Sequence, residues 1–223
     1  MIMEKFANYI LREKIHETQN SIIYRGHKEN EAQQFIIKLL RTRYPTPSEI
    51  ARFRHEYDLI KGLDLEGVIK TFDIIIHGDG FALILEDFDG ISIKSLLDKQ
   101  KRFDLKSLLK ISVKIAEALG SIHEKEIVHK DIKPHNILIN PATEMVKITD
   151  FGISTLLTHE NDEVYNPDFI TGTLAYMSPE QTGRMNRTVD YRTDLYSLGI
   201  TMYEMLTGNL PFKSQDHDPI ELI

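Results

Sequence analysis

The sequence predicts an α+β protein of two lobes, a β-rich front half and a mainly helical back half, with a hinge near Glu86 to Asp89. Three observations carry that reading. The first ninety residues fall into short segments rich in Ile, Tyr and Phe, separated by polar turns, which is the pattern of strands. After Asp89-Gly90 the apolar spacing switches to the 3.6-residue period of a helix. A length of 223 residues suits one large domain or one two-lobed unit with a sizeable core, so neither a disulfide nor a metal is needed for stability. The first lobe is expected to span 1–87 and the second 88–223.

In the front half, Tyr9 to Thr18, Ser21 to Lys28 and Gln33 to Leu40 read as three antiparallel strands. Thr46-Pro47-Ser48-Glu49 is a helix start, with Thr as N-cap, Pro at the first helical position and Glu three residues past the cap. That helix runs to about Gly62. Ile50, Phe53, Tyr57 and Ile60 mark its buried face, and Glu56, on the border of that face, can point inward. Val68 to His77 and Phe81 to Glu86 read as two more strands joined by the hairpin signal Gly78-Asp79-Gly80. In the back half Asp104 opens a long amphipathic helix marked by Leu105, Leu108, Leu109, Ile115, Ala116, Leu119 and Ile122. A second buried helix spans roughly Thr193 to Thr207.

Composition removes several classes of function. With 27 Lys+Arg against 34 Asp+Glu the net charge is −7, and no long basic block occurs, which argues against nucleic acid or an anionic membrane as partner. Zero cysteines exclude a disulfide scaffold, a thiolate nucleophile and any Cys-based metal site. The nine histidines show no His-Glu-x-x-His spacing. Met1-Ile-Met-Glu-Lys has no apolar stretch behind its charge, and pure apolar runs such as Phe81 to Leu85 fall far short of about 18 residues. The expectation is a soluble, cytoplasmic chain without a membrane segment.

Three motifs remain. The first is Val128-His129-Lys130-Asp131-Ile132-Lys133-Pro134-His135-Asn136-Ile137-Leu138-Ile139. Fourteen residues past Asn136 comes Asp150-Phe151-Gly152, followed by Gly172-Thr173-Leu174-Ala175-Tyr176-Met177-Ser178-Pro179-Glu180. Alone, Asp-Phe-Gly is as well explained by a strand end and a turn. Together the three match H-R-D-x-x-x-x-N, D-F-G and A-P-E in order and approximate spacing. The chain resembles the eukaryotic-like Ser/Thr protein kinases over essentially its whole length. That resemblance implies a two-lobed protein kinase-like fold, ATP and Mg²⁺ as cofactors, and a protein substrate with a Ser or Thr acceptor. Lys133, with Gly172-Thr173, resembles Ser/Thr rather than Tyr kinases.

Phosphoryl transfer needs positioning and neutralisation of oxygen charge more than covalent help. By the resemblance, Asp150 would hold Mg²⁺ on the ATP phosphates and Asn136 would offer a neutral oxygen to a second Mg²⁺. Asp131 would accept or orient the acceptor hydroxyl, and Lys133 would neutralise the transferring phosphoryl. Phe35-Ile36-Ile37-Lys38 stands in the place of V-A-I-K, so Lys38 would contact the α/β-phosphates with Glu56 as its ion-pair partner. Ile23 and Leu138 would sandwich the adenine, and Ile36 would add bulk to its ceiling. The hinge Leu85-Glu86-Asp87-Phe88 would meet the adenine edge through its backbone, from Glu86 to Phe88. His129 would pack near Phe151, with Ile60 in the same stack.

The pattern also departs from the family. Where G-x-G-x-x-G-x-V would lie stand His16, Thr18, Ser21 and Ile23, which places Cβ atoms where glycines let backbone close over phosphates. Lys130 replaces the Arg before the catalytic Asp and loses its bidentate fork. Thr155, Thr158 and Thr171 are candidates for phosphorylation. After Pro211-Phe212 the fold normally continues with more helices, so the second lobe is expected to be incomplete at its C-terminus and Glu180 to lack an Arg partner. Leu65 to Lys70, Leu85 to Phe88 and Tyr176 to Arg192 resemble the N-terminal kinase domain of large bacterial signalling proteins. There the kinase is followed by an AAA-type ATPase, a GAF sensor and a histidine kinase. The intact Lys38, Glu56, Asp131, Asn136 and Asp150 favour a Ser/Thr kinase. The glycine-free loop favours a pseudokinase that relays signals by contact. A small-molecule phosphotransferase is a third reading, against which the segment from Gly172 to Glu180 argues.

Overall fold

A computed structural model describes residues 4–18, 20–41, 45–156, 174–182 and 187–212. Gly172-Thr173, Thr158, Thr171, the run from Gly183 to Asn186 and the last residues from Asp218 therefore lie outside the described residues. The chain divides into two compact units, Met1–Asp64 with Ile69–Asp89, and Leu65–Val68 with Gly90–Ile223.

The first unit is built on a six-stranded antiparallel sheet in the order β1-β2-β3-β4-β6-β5. Its strands are β1 (Glu4–Phe6), β2 (Tyr9–Glu17), β3 (Ser21–Lys28), β4 (Gln34–Leu40), β5 (Thr71–His77) and β6 (Gly80–Glu86). Tyr9, Leu11, Phe35, Ile37, Ala82 and Ile84 form one apolar cluster of the unit. β6 is buried at every position from Phe81 to Leu85, which explains its unbroken apolar run. Two boundaries differ from the sequence reading. β1 is a short extra strand paired with the start of β2. β5 begins at Thr71, because Val68 instead bridges Ile148 in parallel within the second unit.

Helix α1 (Pro47–Ile60) starts where local chemistry says it should. Thr46 Oγ1 accepts the Glu49 N–H while the Thr46 N–H donates to Glu49 Oε2 at 2.7 Å, a reciprocal capping box. The helix ends two residues before Gly62, since Lys61 is already extended. Phe53, Glu56 and Ile60 are buried, whereas Ile50 and Tyr57 are only half-buried.

The second unit contains α2 (Ile93–Gln100), α3 (Leu105–His123) and α4 (Arg192–Thr207). Its short strands are β7 (Ile91–Ser92), β8 (Ile127–Val128), β9 (Ile137–Ile139), β10 (Val146–Ile148) and β11 (Thr155–Leu156). β10-β9-β7 form one antiparallel sheet and β11-β8 another. α2, not anticipated from the sequence, is capped by Ser92 Oγ accepting from Ser95 N–H and buries Ile93 and Leu97. Asp104 caps α3 by accepting from the Lys106 and Ser107 N–H groups. The buried face of α3 is Leu108, Ile111, Ser112, Ile115, Ala118, Leu119 and Ile122. Leu105, Leu109 and Ala116, assigned to that face from the sequence, are exposed.

Two glycines are dictated by geometry. Gly67 has φ +85°, and a Cβ there would lie 2.6 Å from Ala118 Cβ on α3. Gly208 ends α4 in the left-handed region, its N–H donating to Glu204 O at 2.7 Å.

Candidate active site

In the second unit the residues of the first motif sit on the loop between β8 and β9, and the residue that shapes that loop is Asp194. Asp194 is fully buried in the first turn of α4. Its carboxylate accepts the His129 N–H at 2.9 Å, the Lys130 N–H at 2.8 Å and His123 Nε2 at 2.9 Å. Gln181 adds a fourth tie: its amide donates to Lys130 O at 2.9 Å and its Oε1 accepts the Ser178 N–H at 3.0 Å. Together these hold Lys130 at φ +66°, a conformation that persists for a non-glycine residue only when its surroundings over-determine it.

The anchored loop delivers three side chains to one place. Lys133 Nζ donates to both carboxylate oxygens of Asp131, at 2.9 and 2.7 Å. Asn136 Nδ2 donates to Asp131 Oδ2 at 2.8 Å and to Asp131 O at 2.9 Å, which fixes the direction of the amide oxygen as well. Burial pushes the Asp131 carboxyl above the ordinary carboxylate range; the Lys133 ammonium opposes this and the Asp150 charge adds to it. Asp150 sits at φ +70°, a second non-glycine residue held left-handed at this site.

His129 links these parts. The Asp131 N–H donates to His129 Nδ1 at 3.2 Å, so the ring proton lies on Nε2 and is given to Thr149 O at 3.2 Å. The imidazole meets the fully buried Phe151 ring edge-on, with centroids 4.6 Å apart. Leu138 is half-buried on β9, opposite Ser92 and Lys147.

One expectation needs correction here. Thr155 lies buried on β11, paired with Val128, so it is not presented to a modifying enzyme. Glu180 Oε1 accepts from the Thr193 hydroxyl at 3.0 Å.

In the first unit Lys38 on β4 reaches Glu56 on α1 with Nζ at 2.9 and 2.7 Å from the two carboxylate oxygens. Both side chains are buried. The strand register puts Ile23 opposite Lys38, and Lys38 in turn opposite Leu83. It puts Arg25 opposite Ile36, and Ile36 opposite Leu85. Ile23, Arg25, Ile36 and Lys38 thus share one face of the sheet. Ile60 is buried within the same unit. The Glu86 N–H is committed to Lys70 O at 2.9 Å.

The turn between β2 and β3, where glycines are missing, closes on itself. The Thr18 N–H donates to Ser21 O at 2.8 Å and the Ser21 N–H to Thr18 Oγ1 at 3.0 Å, while His16 pairs with Ile23. A hydroxyl turn has taken the place of a glycine turn.

The donor set suits a hard cation. Asp150 offers a carboxylate and Asn136 an oriented amide oxygen, the sparse kind of oxygen set that binds Mg²⁺ alongside phosphate oxygens and water. Among the described residues no group of three or more His, Cys, Asp and Glu could hold a metal by itself. No helix of the described residues is long and apolar enough to cross a membrane.

Residues 9–222 match the protein kinase domain family. The chain is 33% identical over 191 residues to the serine/threonine-protein kinase PrkC of Bacillus subtilis, covering 85% of this chain and 29% of that protein. It is 32% identical over 205 residues to a probable serine/threonine-protein kinase of Clostridium perfringens, covering 92% and 29% respectively. It is 32% identical over 170 residues to the serine/threonine-protein kinase PknB of Mycobacterium tuberculosis, covering 74% and 27%. The chain thus spans less than a third of the length of each relative. With nearly every residue inside the matched region, the chain belongs to the protein kinase family, as a eukaryotic-like serine/threonine kinase domain.

Proposed function

We propose that the protein is an ATP- and Mg²⁺-dependent serine/threonine kinase of bacterial signalling, working in the cytoplasm and transferring the γ-phosphoryl group to a Ser or Thr hydroxyl of a protein. The observation that carries this reading is the Asp131 carboxylate, only 11% exposed yet gripped by Lys133 and Asn136 at once. Such a carboxylate is oriented to accept a hydrogen bond from an alcohol.

In the proposed step the acceptor oxygen bonds to the γ-phosphorus as the bond to the β–γ bridging oxygen breaks. The hydroxyl proton passes to Asp131, and ADP leaves. Lys133 neutralises charge on the transferring group. Lys38, held by Glu56, meets the α/β-phosphates. Asp150 and Asn136 would hold Mg²⁺, which supplies neutralisation of phosphate oxygens. Ile23, Ile36 and Leu138 receive the adenine, with backbone contacts from Glu86 and Phe88. The resemblance of Tyr176 to Arg192 to large bacterial signalling proteins supports covalently linked ATPase, sensor and histidine kinase domains.

One observation favours a second reading. The β2–β3 turn spends the Thr18 and Ser21 N–H groups internally rather than on phosphates, as expected of a signalling pseudokinase. Incubation with Mg-ATP and a generic Ser/Thr-containing protein separates the readings. Phosphoserine or phosphothreonine in the acceptor is the expected result. Turnover of a small metabolite with no protein acceptor modified would overturn the proposal.

A further inference from the structure

We propose that Arg25 is a positioning residue for the adenine end of the nucleotide, acting through Asp87; this rests on the kinase reading above and deepens it. Arg25 lies on β3 two residues past Ile23 and opposite Ile36, so it leaves the sheet on the face that carries Ile23, Ile36 and Lys38. Its Nε donates to Asp87 Oδ2 at 2.5 Å and its Nη2 to Asp87 Oδ1 at 3.2 Å, a two-pronged grip. The Asp87 side chain is only 5% exposed, and the Arg25 guanidinium is the opposite charge that faces it there.

The grip extends along the segment that follows β6. Asp87 Oδ1 also accepts the Asp89 N–H at 3.1 Å, and Arg25 Nη2 lies 3.4 Å from Asp89 Oδ1. Asp89 is held at φ +56°. A third carboxylate, Glu13, stands 3.3 Å from Nη1. One guanidinium therefore ties Asp87 and Asp89 on either side of Phe88. Backbone groups recognise a planar base only when their directions are fixed beforehand, and a segment that must be ordered on binding loses affinity. Where the β2–β3 turn keeps its N–H groups for itself, the adenine end carries a larger share of recognition.

The test titrates the full chain with adenosine and with Mg-ATP, for wild type, Arg25→Ala, Arg25→Lys, Asp87→Asn and the double variant Arg25→Ala/Asp87→Asn, each checked by thermal melting. Arg25→Ala is expected to weaken adenosine and Mg-ATP alike by about tenfold, the scale of one charged hydrogen-bonded pair. KM for ATP rises correspondingly while kcat at saturation holds. Arg25→Lys, which keeps the charge and loses the fork, falls between wild type and Arg25→Ala, and it carries the test if Arg25→Ala does not fold. The double variant binds no more weakly than either single one, because both remove the same interaction. Unchanged adenosine affinity in the folded variants, or a fall in kcat with KM unchanged, overturns the role of Arg25 and leaves the kinase reading standing. A wild-type chain that binds neither ligand overturns the kinase reading itself, and this role with it.

Discussion

Lys38 and Glu56, eighteen residues apart in sequence, meet through both carboxylate oxygens, at 2.9 and 2.7 Å, with both side chains withdrawn from water. Breaking a buried pair from one side leaves a buried charge without compensation, a loss of about 3–5 kcal/mol, whereas replacing both partners by apolar groups is far milder. Lys38→Met is therefore expected to destabilise the chain more than Lys38→Met/Glu56→Leu does. Urea unfolding of the three proteins measures this, and equal losses would contradict it.

Asp194 carries three acceptor bonds that shape the loop between β8 and β9. Asp194→Ala leaves the buried His129 N–H without its acceptor, at about 1–3 kcal/mol, and the part-buried Lys130 N–H as well, at less. A large drop in melting temperature is expected, with loss of the ring contact between His129 and Phe151 seen in aromatic NMR shifts. A variant that melts like wild type would show that the loop is held by something else.

Gly67 and Gly62 make a controlled pair. Both have positive φ, but a Cβ on Gly67 meets Ala118 at 2.6 Å, whereas nothing lies within 4 Å of one on Gly62. Gly62→Ala should cost about 1 kcal/mol, the backbone strain alone. Gly67→Ala adds overpacking of about 1–3 kcal/mol. Chemical denaturation midpoints that rank the two the other way would refute the placement of Gly67 against α3.

The hydroxyl-closed turn makes a prediction in the opposite direction. Replacing Thr18 and Ser21 by glycine removes the Thr18 Oγ1 acceptor and restores backbone freedom. The expected result is several-fold tighter Mg-ATP binding, with slightly lower stability. Unchanged affinity in a calorimetric titration would show that this turn takes no part in holding phosphates.

What could be read from the chain depended on how local the information was. The capping box of α1 is four consecutive residues and was legible to the residue. α2 was missed because only Ile93 and Leu97 are buried on it, among Lys94, Asp98, Lys99 and Gln100. Leu105, Leu109 and Val113 form a second apolar row on α3 at helical spacing, and periodicity alone could not tell this exposed row from the buried one. At the site, Asp131, Lys133, Asn136 and Asp150 stood out as motif residues. Asp194 and Arg25 did not, because their partners lie 65 and 62 residues away in sequence, at His129 and Asp87. A buried acid in the apolar stretch of α4 was the available signal for Asp194.

The most direct measurement is transfer of labelled γ-phosphate from Mg-ATP to a Ser/Thr-containing protein, comparing wild type with Asp131→Asn. Transfer by the wild type is expected, and none by a variant that still folds and still binds Mg-ATP. Equal transfer by both, or none by a folded wild-type protein, would contradict it.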